Sequence, residues 1–506
     1  MRNLLANEAK YEHWITDDTG IQMTRIEQIN ADLLNFGSKA VELIFSTSPS
    51  PFQKGCRGTA CPALSAGRRG IFTTMPLLAS MLLCVNTSAQ AQTLLTLDEA
   101  AKLALQHNYD IQVAQKQVET AQNNATIYNS GYLPSATAAG GANISYNAGE
   151  NETVQGTFEF DPAEAYSYSA SLGVNYTIFN GLGRMYNYKQ MKERHSLTEL
   201  QAKQIIENTL ISLSSSYFQI GQLTENVSMF RSALDISKQR LQRARYNYEY
   251  GQATQLNVLN SEVDVNNDSI NLLNAAQQLE NAKRNLNLIM GRTLATDFAV
   301  DTAVAFALAF SEEELVAKAL ERNVLVEQTR SQLRNSEFAI KASRAGWFPS
   351  LSANASYAYQ GQNNPNGAFL TGSQSYGPQA GLSLSWNIFD GGRTHTQMQN
   401  AKIALETQKI QQEQTTVTVQ RNVLNAHSSY LNALFVLQAQ QANLLTTQRN
   451  FDRSNEMFKQ GQITSIEFRQ AQLNMLNAQN NHSQAKYNAK NAELQLKQLA
   501  GVLLEE

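Results

Sequence analysis

Five histidines, His107, His195, His395, His427 and His482, are the residues best suited to acid–base or metal chemistry in the second to last fifths of this 506-residue chain. They are scattered, with no metal-ligand spacing. No His-Glu-x-x-His, nucleophile-elbow or phosphate-loop motif accompanies them, so each reads as a helix-surface residue and no catalytic, cofactor or metal site is expected. The cysteines, Cys56, Cys61 and Cys84, all precede the end of an export signature. An exported chain lacking them has no disulfide, thiol nucleophile or Cys-ligated metal. Forty Lys and Arg balance 43 Asp and Glu, which removes the basic footprint of a nucleic-acid binder. Charged residues make up only 16%, and Asn, Gln, Ser and Thr supply the missing polarity. Uncharged polarity on this scale suits wetted walls that carry little net charge.

The export signature runs from Arg68 and Arg69 through an apolar stretch, Ile71 to Val85, to Ala89-Gln90-Ala91. A basic start, an apolar segment too short to span a bilayer and an Ala-x-Ala site predict a signal peptide over 68–91, cleaved after Ala91. Residues 1–67 then form an upstream extension, disordered or arising from an over-extended gene start. Cys84 has the place of a lipoprotein acceptor, but Leu83 before it is bulkier than such sites tolerate.

The elements that remain come twice. Gly131-Tyr132-Leu133-Pro134-Ser135 returns as Gly346-Trp347-Phe348-Pro349-Ser350, Ile178-Phe179-Asn180-Gly181 as Ile388-Phe389-Asp390-Gly391, and Gly251-Gln252-Ala253-Thr254 as Gly461-Gln462-Ile463-Thr464. Landmarks in one order at nearly one offset predict a tandem duplication, with repeats at 92–300 and 301–506. Within each repeat, proline is confined to windows near 131–181 and 346–392, and glycine is nearly absent between Arg184 and Gly291 and between Arg393 and Ala500. Helices are therefore expected over 96–130, 184–250, 252–290, 312–345, 394–460 and 462–500. Leu256, Leu259, Val263, Ile270 and Leu273 step as a coiled-coil seam requires. Between Gly251 and Met290 stand 9 Asn and 4 Gln against 6 charged residues; that amide-rich surface suits an enclosed aqueous space or a partner.

The proline windows alternate with period two. Leu172, Val174, Tyr176 and Ile178 in the first repeat, and Leu382, Leu384, Trp386 and Ile388 in the second, face one way, and small polar residues stand between them. Residues 351–359 alternate likewise, and 133–146 more weakly. Charge-free alternation with aromatics at the strand ends predicts membrane strands with these eight residues on the lipid face. Four strands per chain cannot close a membrane barrel, and lipid tolerates no open sheet edge, so the barrel must be shared. Three chains, giving twelve strands, leave a water-filled bore that eight strands would not. The expected fold is mainly α with a β-barrel portion: a duplicated long-helix coiled-coil tunnel on four transmembrane strands per chain.

These features resemble the TolC-like outer-membrane efflux (outer-membrane factor) family. The resemblance rests on the duplicated helix-strand-strand-helix-helix unit, on Ile-Phe-Asn-Gly and Ile-Phe-Asp-Gly-Gly-Arg at the strand ends, and on the segments 250–260 and 460–468, and it covers 94–502. It implies a homotrimer in the outer membrane with a long periplasmic extension, acting as a passive exit duct of a tripartite efflux or type I secretion system. Its implied partners are a periplasmic adaptor, an inner-membrane pump or exporter, and outer-membrane lipid. The turns at Gly251, Gln252 and Thr254 and at Gly461, Gln462 and Thr464 read from residues alone as glycine helix terminations. The resemblance makes them the periplasmic tip, where adaptors dock and the tunnel closes. It also places Glu467 at an aperture position, with Gln470 where a second acidic residue stands in the family and Asn257 and Asn260 in the first-repeat places. Three copies of Glu467 would form a carboxylate ring that favours cations; the bland alternative is a helix-start Glu held by the helix dipole. A coiled-coil or adhesive surface protein is the competing class, but it leaves the four interrupting strands unexplained. A constitutively open porin lacks the helices.

Overall fold

The computed structural model describes residues 94–154, 156–307, 310–363 and 371–504. The signal peptide, the upstream extension and all three cysteines lie outside the described residues. The chain runs β1 (Leu94–Leu95), α1 (Leu97–His107), α2 (Tyr109–Asn124), β2 (Ser135–Thr153), β3 (Gly156–Asn180), α3 (Gly183–Glu249) and α4 (Gln255–Ile289). It continues β4 (Ala299–Val300), α5 (Glu312–Arg322), α6 (Val324–Ser343), β5 (Ser350–Asn363), β6 (Gly372–Ser385), α7 (Arg393–Lys459) and α8 (Ser465–Leu499). Helices α3 and α7 each have 67 residues and α4 and α8 each have 35. At 1.5 Å per residue the longer pair reach roughly 100 Å, far beyond the width of a compact core.

The expected single helices over 96–130 and 312–345 are each broken in two. Asn108 and Asn323 leave helical geometry at ψ 132° and 127° and start the next helix as its N-cap. Asn108 Oδ1 accepts the backbone N–H of Asp110 and Ile111 at 2.9 and 3.1 Å, while its Nδ2 donates to Ile289 O at 2.8 Å. Asn323 repeats the device, accepting from Leu325 N at 3.0 Å and donating to Leu499 O at 2.9 Å. Each Asn thus begins one helix and ties it to the end of another. Asn108→Ala removes a cap, at about 1 kcal/mol, and a tertiary hydrogen bond of similar size. A loss of about 2 kcal/mol is expected, read as a lower thermal unfolding midpoint of the detergent-solubilised protein.

The core lies where these short helices meet the long ones. Leu213, Tyr217, Phe218 and Ile220 of α3 pack with Leu286, Met290, Phe298 and Tyr487 in one cluster. Leu315, Val326, Val419, Val423, Tyr430 and Leu496 form a second. The parallel pair β1–β4 lies beside the first, where Tyr217 Oη donates to Leu95 O at 2.8 Å. Gly291 and Gly501 close α4 and α8 here at φ 66° and 72°. A Cβ on Gly291 would lie 2.7 Å from the His107 carbonyl carbon, and one on Gly501 2.8 Å from that of Arg322.

β2, β3, β5 and β6 form one antiparallel sheet in the order β2-β3-β5-β6, with β2 and β6 as its edges. Strand β6 ends at Ser385, opposite Ser350, so Trp386 and Ile388, expected within the strand, lie past its end. The physical reason is that β5 begins at Ser350 and offers residues 386–390 no neighbour. Entry into α3 and α7 uses left-handed backbone: Gly391 and Gly392 at φ 70° and 87°, and Gly181 and Leu182 at 66° each. Leu182 is the one positive-φ residue other than glycine among the described residues. Arg184 clasps this corner, its guanidinium donating to Gly131 O at 2.8 Å and Ile178 O at 3.2 Å.

Candidate functional site

The two long hairpins turn on the same device. Gly251 adopts φ 70°, and Gln252 N donates back to Asn247 O at 2.7 Å; Gly461 adopts φ 74°, and Gln462 N donates to Met457 O at 2.8 Å. These reverse bonds satisfy the last carbonyls of α3 and α7, which is what a left-handed C-terminal glycine provides. Nothing stands within 4 Å of where a Cβ would sit at either glycine, so both are surface turns free to meet a partner. The hairpins are tied together just behind them: Arg243 of α3 donates to Lys459 O at 3.0 Å and its guanidinium lies 4.9 Å from the Phe458 ring centre.

The four residues expected at the aperture, Asn257, Asn260, Glu467 and Gln470, fall at the starts of α4 and α8, all exposed. Glu467 is occupied as a capping-box partner: its carboxylate accepts Thr464 N at 2.7 Å and Thr464 Oγ1 at 2.9 Å, while Glu467 N donates to Thr464 Oγ1 at 3.2 Å. The backbone bond, then the hydroxyl bond, holds its pKa below the ordinary value, because both stabilise the charged form. The first repeat lacks this box. Thr254 makes no side-chain cap there, and Asn257 only donates its N–H to Thr254 O at 3.1 Å. Asn260 and Gln470 are exposed, Gln470 reaching Asn474 Oδ1 at 2.9 Å.

Between about one and four turns in from the hairpin ends of the long helices lies a cluster that sequence reasoning missed. Asp268 of α4, 2% exposed, receives both ends of the Arg469 guanidinium of α8 at 2.8 Å each, and Ser237 Oγ of α3 at 2.5 Å. Asp264 takes Arg240 Nη2 at 2.5 Å and faces Arg469 Nε at 3.4 Å. Gln472 completes the ring, accepting from Arg240 Nη1 at 3.3 Å and donating to Ala233 O at 3.1 Å. Burial works against the charge on Arg469, but the hydrogen bond and charge of Asp268, then Asp264, outweigh it and raise its pKa. Two cations and two anions thus bind α3, α4 and α8 together above the tip. The available signal was Asp264 and Asp268, four residues apart on one face of an amide-rich helix.

The sheet presents two unlike faces. In register, Leu172 stands opposite Tyr357, Val174 opposite Ala355 and Tyr176 opposite Ala353, and Leu382 and Leu384 continue the row on β6. The larger of these side chains, Leu172, Val174, Tyr176, Tyr357, Leu382 and Leu384, are exposed in the single chain. A bulge between Thr177 and Phe179 puts Phe179, rather than Ile178, opposite Leu351. Tyr168, Tyr359 and Tyr376 stack across three strands with ring centres 6.0 and 6.3 Å apart. From Tyr168 to Phe179 a strand climbs roughly 37 Å, or roughly 28 Å of height at a tilt of about 40°. That is close to the ~25 Å apolar band of an outer-membrane barrel between its aromatic girdles. The other face carries Ser171, Gly173, Asn175, Ser352, Asn354 and Ser356, and among the described residues of the sheet it holds no ionisable side chain. No described helix is long and apolar enough to cross a membrane.

Comparison with known proteins bears on this arrangement. A family model described as outer membrane efflux protein matches residues 100–292 and 315–502. Outer membrane protein TolC of Vibrio cholerae is 22% identical over 320 residues, covering 63% of this chain and 72% of that protein. The pyoverdine export outer membrane protein OpmQ of Pseudomonas aeruginosa is 25% identical over 395 residues, covering 76% and 80%. In structure, the CmeC outer membrane channel of Campylobacter jejuni superposes with a TM-score of 0.67 at 16% identity over 80% of this chain and 86% of that one. The open state of the MtrE outer membrane channel of Neisseria gonorrhoeae gives 0.60 at 16% identity over 80% and 89%.

Proposed function

Because the chain belongs to the outer membrane efflux protein family and is an outer-membrane exit duct, we propose that three copies close one twelve-stranded barrel and carry it into the periplasm as a helical tunnel. The observation that carries this reading is the open sheet, apolar on one face between Tyr168 and Phe179 and, among its described residues, polar without ionisable groups on the other, with β2 and β6 at its edges. Lipid does not tolerate such edges, and four strands are too few to curl shut. Joining β6 of each copy to β2 of the next removes every edge. It also turns Leu172, Val174, Tyr176, Leu382 and Leu384 toward lipid and the Ser/Asn face toward water.

The mature chain in this reading is two tandem repeats, 92–300 and 301–506, released from a signal peptide over 68–91 and an upstream extension over 1–67. The tip at Gly251 and Gly461 is the gate, and Glu467, Gln470, Asn257 and Asn260 line its aperture. The exposed turn residues Gln252, Thr254, Gln462 and Thr464 receive a periplasmic adaptor, and an inner-membrane pump supplies the energy, because the sequence has no phosphate loop with which to couple nucleotide. The duct is passive and no catalysis is assigned to it. The buried cluster around Arg469 is the latch: it holds α8 against α3 and α4 when the tip is closed, and opening must separate these groups.

The test is the mass of the detergent-extracted outer-membrane protein by light scattering with detergent subtraction. A trimer is expected. A water-soluble monomer or dimer would mean that the alternating strands belong to a soluble sandwich, and the duct assembly would fall with it.

A further inference from the structure

The chain as a whole is nearly neutral, yet the helix ends next to the sheet are not. Residues 183–194, the start of α3, hold Arg184, Lys189, Lys192 and Arg194 against Glu193. Residues 334–347, the end of α6 and the turn after it, hold Arg334, Lys341 and Arg344 against Glu337. Where α6 packs on α3, two of these cations converge on the same two rings. The Lys189 ammonium lies 5.7 Å from the Tyr186 ring centre and 5.9 Å from that of Phe338, and the Lys341 ammonium lies 6.0 and 5.7 Å from the same two. Both lysines are exposed, and neither forms an ion pair or hydrogen bond with any described residue. Glu193, one turn from Lys189, is taken by Arg334 at 2.6 Å and by Ser331 Oγ at 2.7 Å. Glu337, one turn from Lys341, stays apart from it. Ring faces attract each ammonium, but two like charges held side by side still call for an anion.

In the barrel proposed above, this patch lies on the outside, where the strands leave the membrane. Arg184 stands 5.9 Å from the ring centre of Tyr176, a residue of the apolar sheet face, and 5.2 Å from that of Tyr132. Tyr188 and Lys192 continue the row along α3 at steps of four, with the Lys192 ammonium 4.7 Å from the Tyr188 ring centre. Lys189 lies between this row and α6. It is six residues into α3, roughly 9 Å along the helix, and Lys341 is in the last turn of α6. The headgroup layer outside the hydrocarbon is roughly 5–8 Å deep on each side, and a lysine stem reaches across the difference. Duplication shows that the fold does not require the arrangement. At the offsets relating the repeats, 210 for Gly251 and Gly461 and 215 for Gly131 and Gly346, the equivalents of Tyr186, Lys189, Phe338 and Lys341 are Thr396, Gln399, Asn123 and Thr126.

We propose that Lys189 and Lys341 hold the phosphate of an anionic phospholipid in the periplasmic leaflet, one per chain, with Lys192 adding to the attraction. Each ammonium donates to a phosphate oxygen, and the diester bridges α3 and α6 directly beneath the barrel. A lipid, rather than a free anion, is favoured by the depth of the pair and by the rings of Tyr132, Tyr186 and Tyr188 around it, since such amphipathic rings suit the headgroup level. The assignment rests on the membrane-barrel reading and goes beyond it, to the charge of one bound lipid.

The test counts lipids on the detergent-extracted protein by native mass spectrometry, with phosphatidylglycerol or phosphatidylcholine added in parallel. Preferential retention of phosphatidylglycerol is expected. Lys189→Gln with Lys341→Gln should bind it about thirtyfold more weakly, at about fivefold for each lysine near an anionic headgroup. Lys189→Arg with Lys341→Arg should keep the preference, and so should Lys409→Gln, which removes an exposed charge further down α7. Equal retention of the two lipids by the parent protein overturns the proposal, as does undiminished phosphatidylglycerol on the double Gln variant. Displacement of the lipid by excess inorganic phosphate would assign the pair to a free anion and overturns it as well. In each of these cases a trimer by light scattering leaves the duct reading standing, whereas a water-soluble monomer overturns both.

Discussion

Arg469→Ala is expected to raise the ratio of open to closed channels of the purified protein in planar bilayers by about two orders of magnitude, read as a rise in mean conductance with the open level unchanged. Asp268 is almost wholly buried and takes both ends of this one guanidinium. Removing one partner of a buried pair typically costs about 3–5 kcal/mol, because the remaining charge is left without compensation. That cost falls on the closed packing alone, since parting α8 from α3 and α4 would give Asp268 water. Each ~1.4 kcal/mol displaced from the closed state moves a two-state balance about tenfold. Arg469→Lys keeps the charge but loses the two-pronged contact, and an intermediate rise is expected. Glu467→Ala, which removes an exposed capping carboxylate, is expected to give a smaller rise and to weaken block by cations. Conductance of Arg469→Ala equal to that of the parent would mean that the cluster only braces the helices and does not hold the gate.

The second large effect is at Gly291. Valine there would have to adopt φ 66° and place its Cβ against the His107 carbonyl, which is backbone and cannot swing aside. The left-handed backbone alone costs roughly 1–2 kcal/mol, and the overlap pushes α1 away from the end of α4, opening the core around Leu286, Met290 and Phe298. Gly291→Val is expected not to accumulate as an assembled outer-membrane protein, judged by the heat-resistant oligomer in membrane extracts. Gly251→Ala is the matched comparison, with φ 70° and open space around it. Paying only the backbone term, it is expected to assemble and to unfold a few degrees lower. Equal behaviour of the two variants would show that the close approach to His107 does not constrain the fold.

The contrast between these glycines bears on what can be read from sequence. Proline placement and the repeated landmarks revealed the long helices, because breakers act locally and leave a visible mark. The breaks at Asn108 and Asn323 stayed hidden because asparagine is only mildly unfavourable within a helix. What breaks the helix is the bond from Nδ2 to the end of a helix some 180 residues away. Alternation revealed both faces of the sheet, but not the bulge that exchanges Ile178 for Phe179 or the end of β6 before Trp386, since both depend on the pairing strand. The buried cluster joins Ser237, Asp268 and Arg469, more than 200 residues apart at its extremes, so no local pattern could show it. Gly291, like Gly251, was legible as a helix stop; the wall behind it was not.

Turned inward as proposed, the Ser- and Asn-rich face of the sheet, which carries no ionisable side chain among its described residues, lines that part of the duct without fixed charge. A wall of that kind cannot rectify: it neither holds a solute nor favours one direction of travel, and what leaves by it can return by it. In the same proposed reading one-way traffic belongs to the far end, where the Arg469 cluster would keep the tip shut between discharges, a check valve fitted with a long open nozzle.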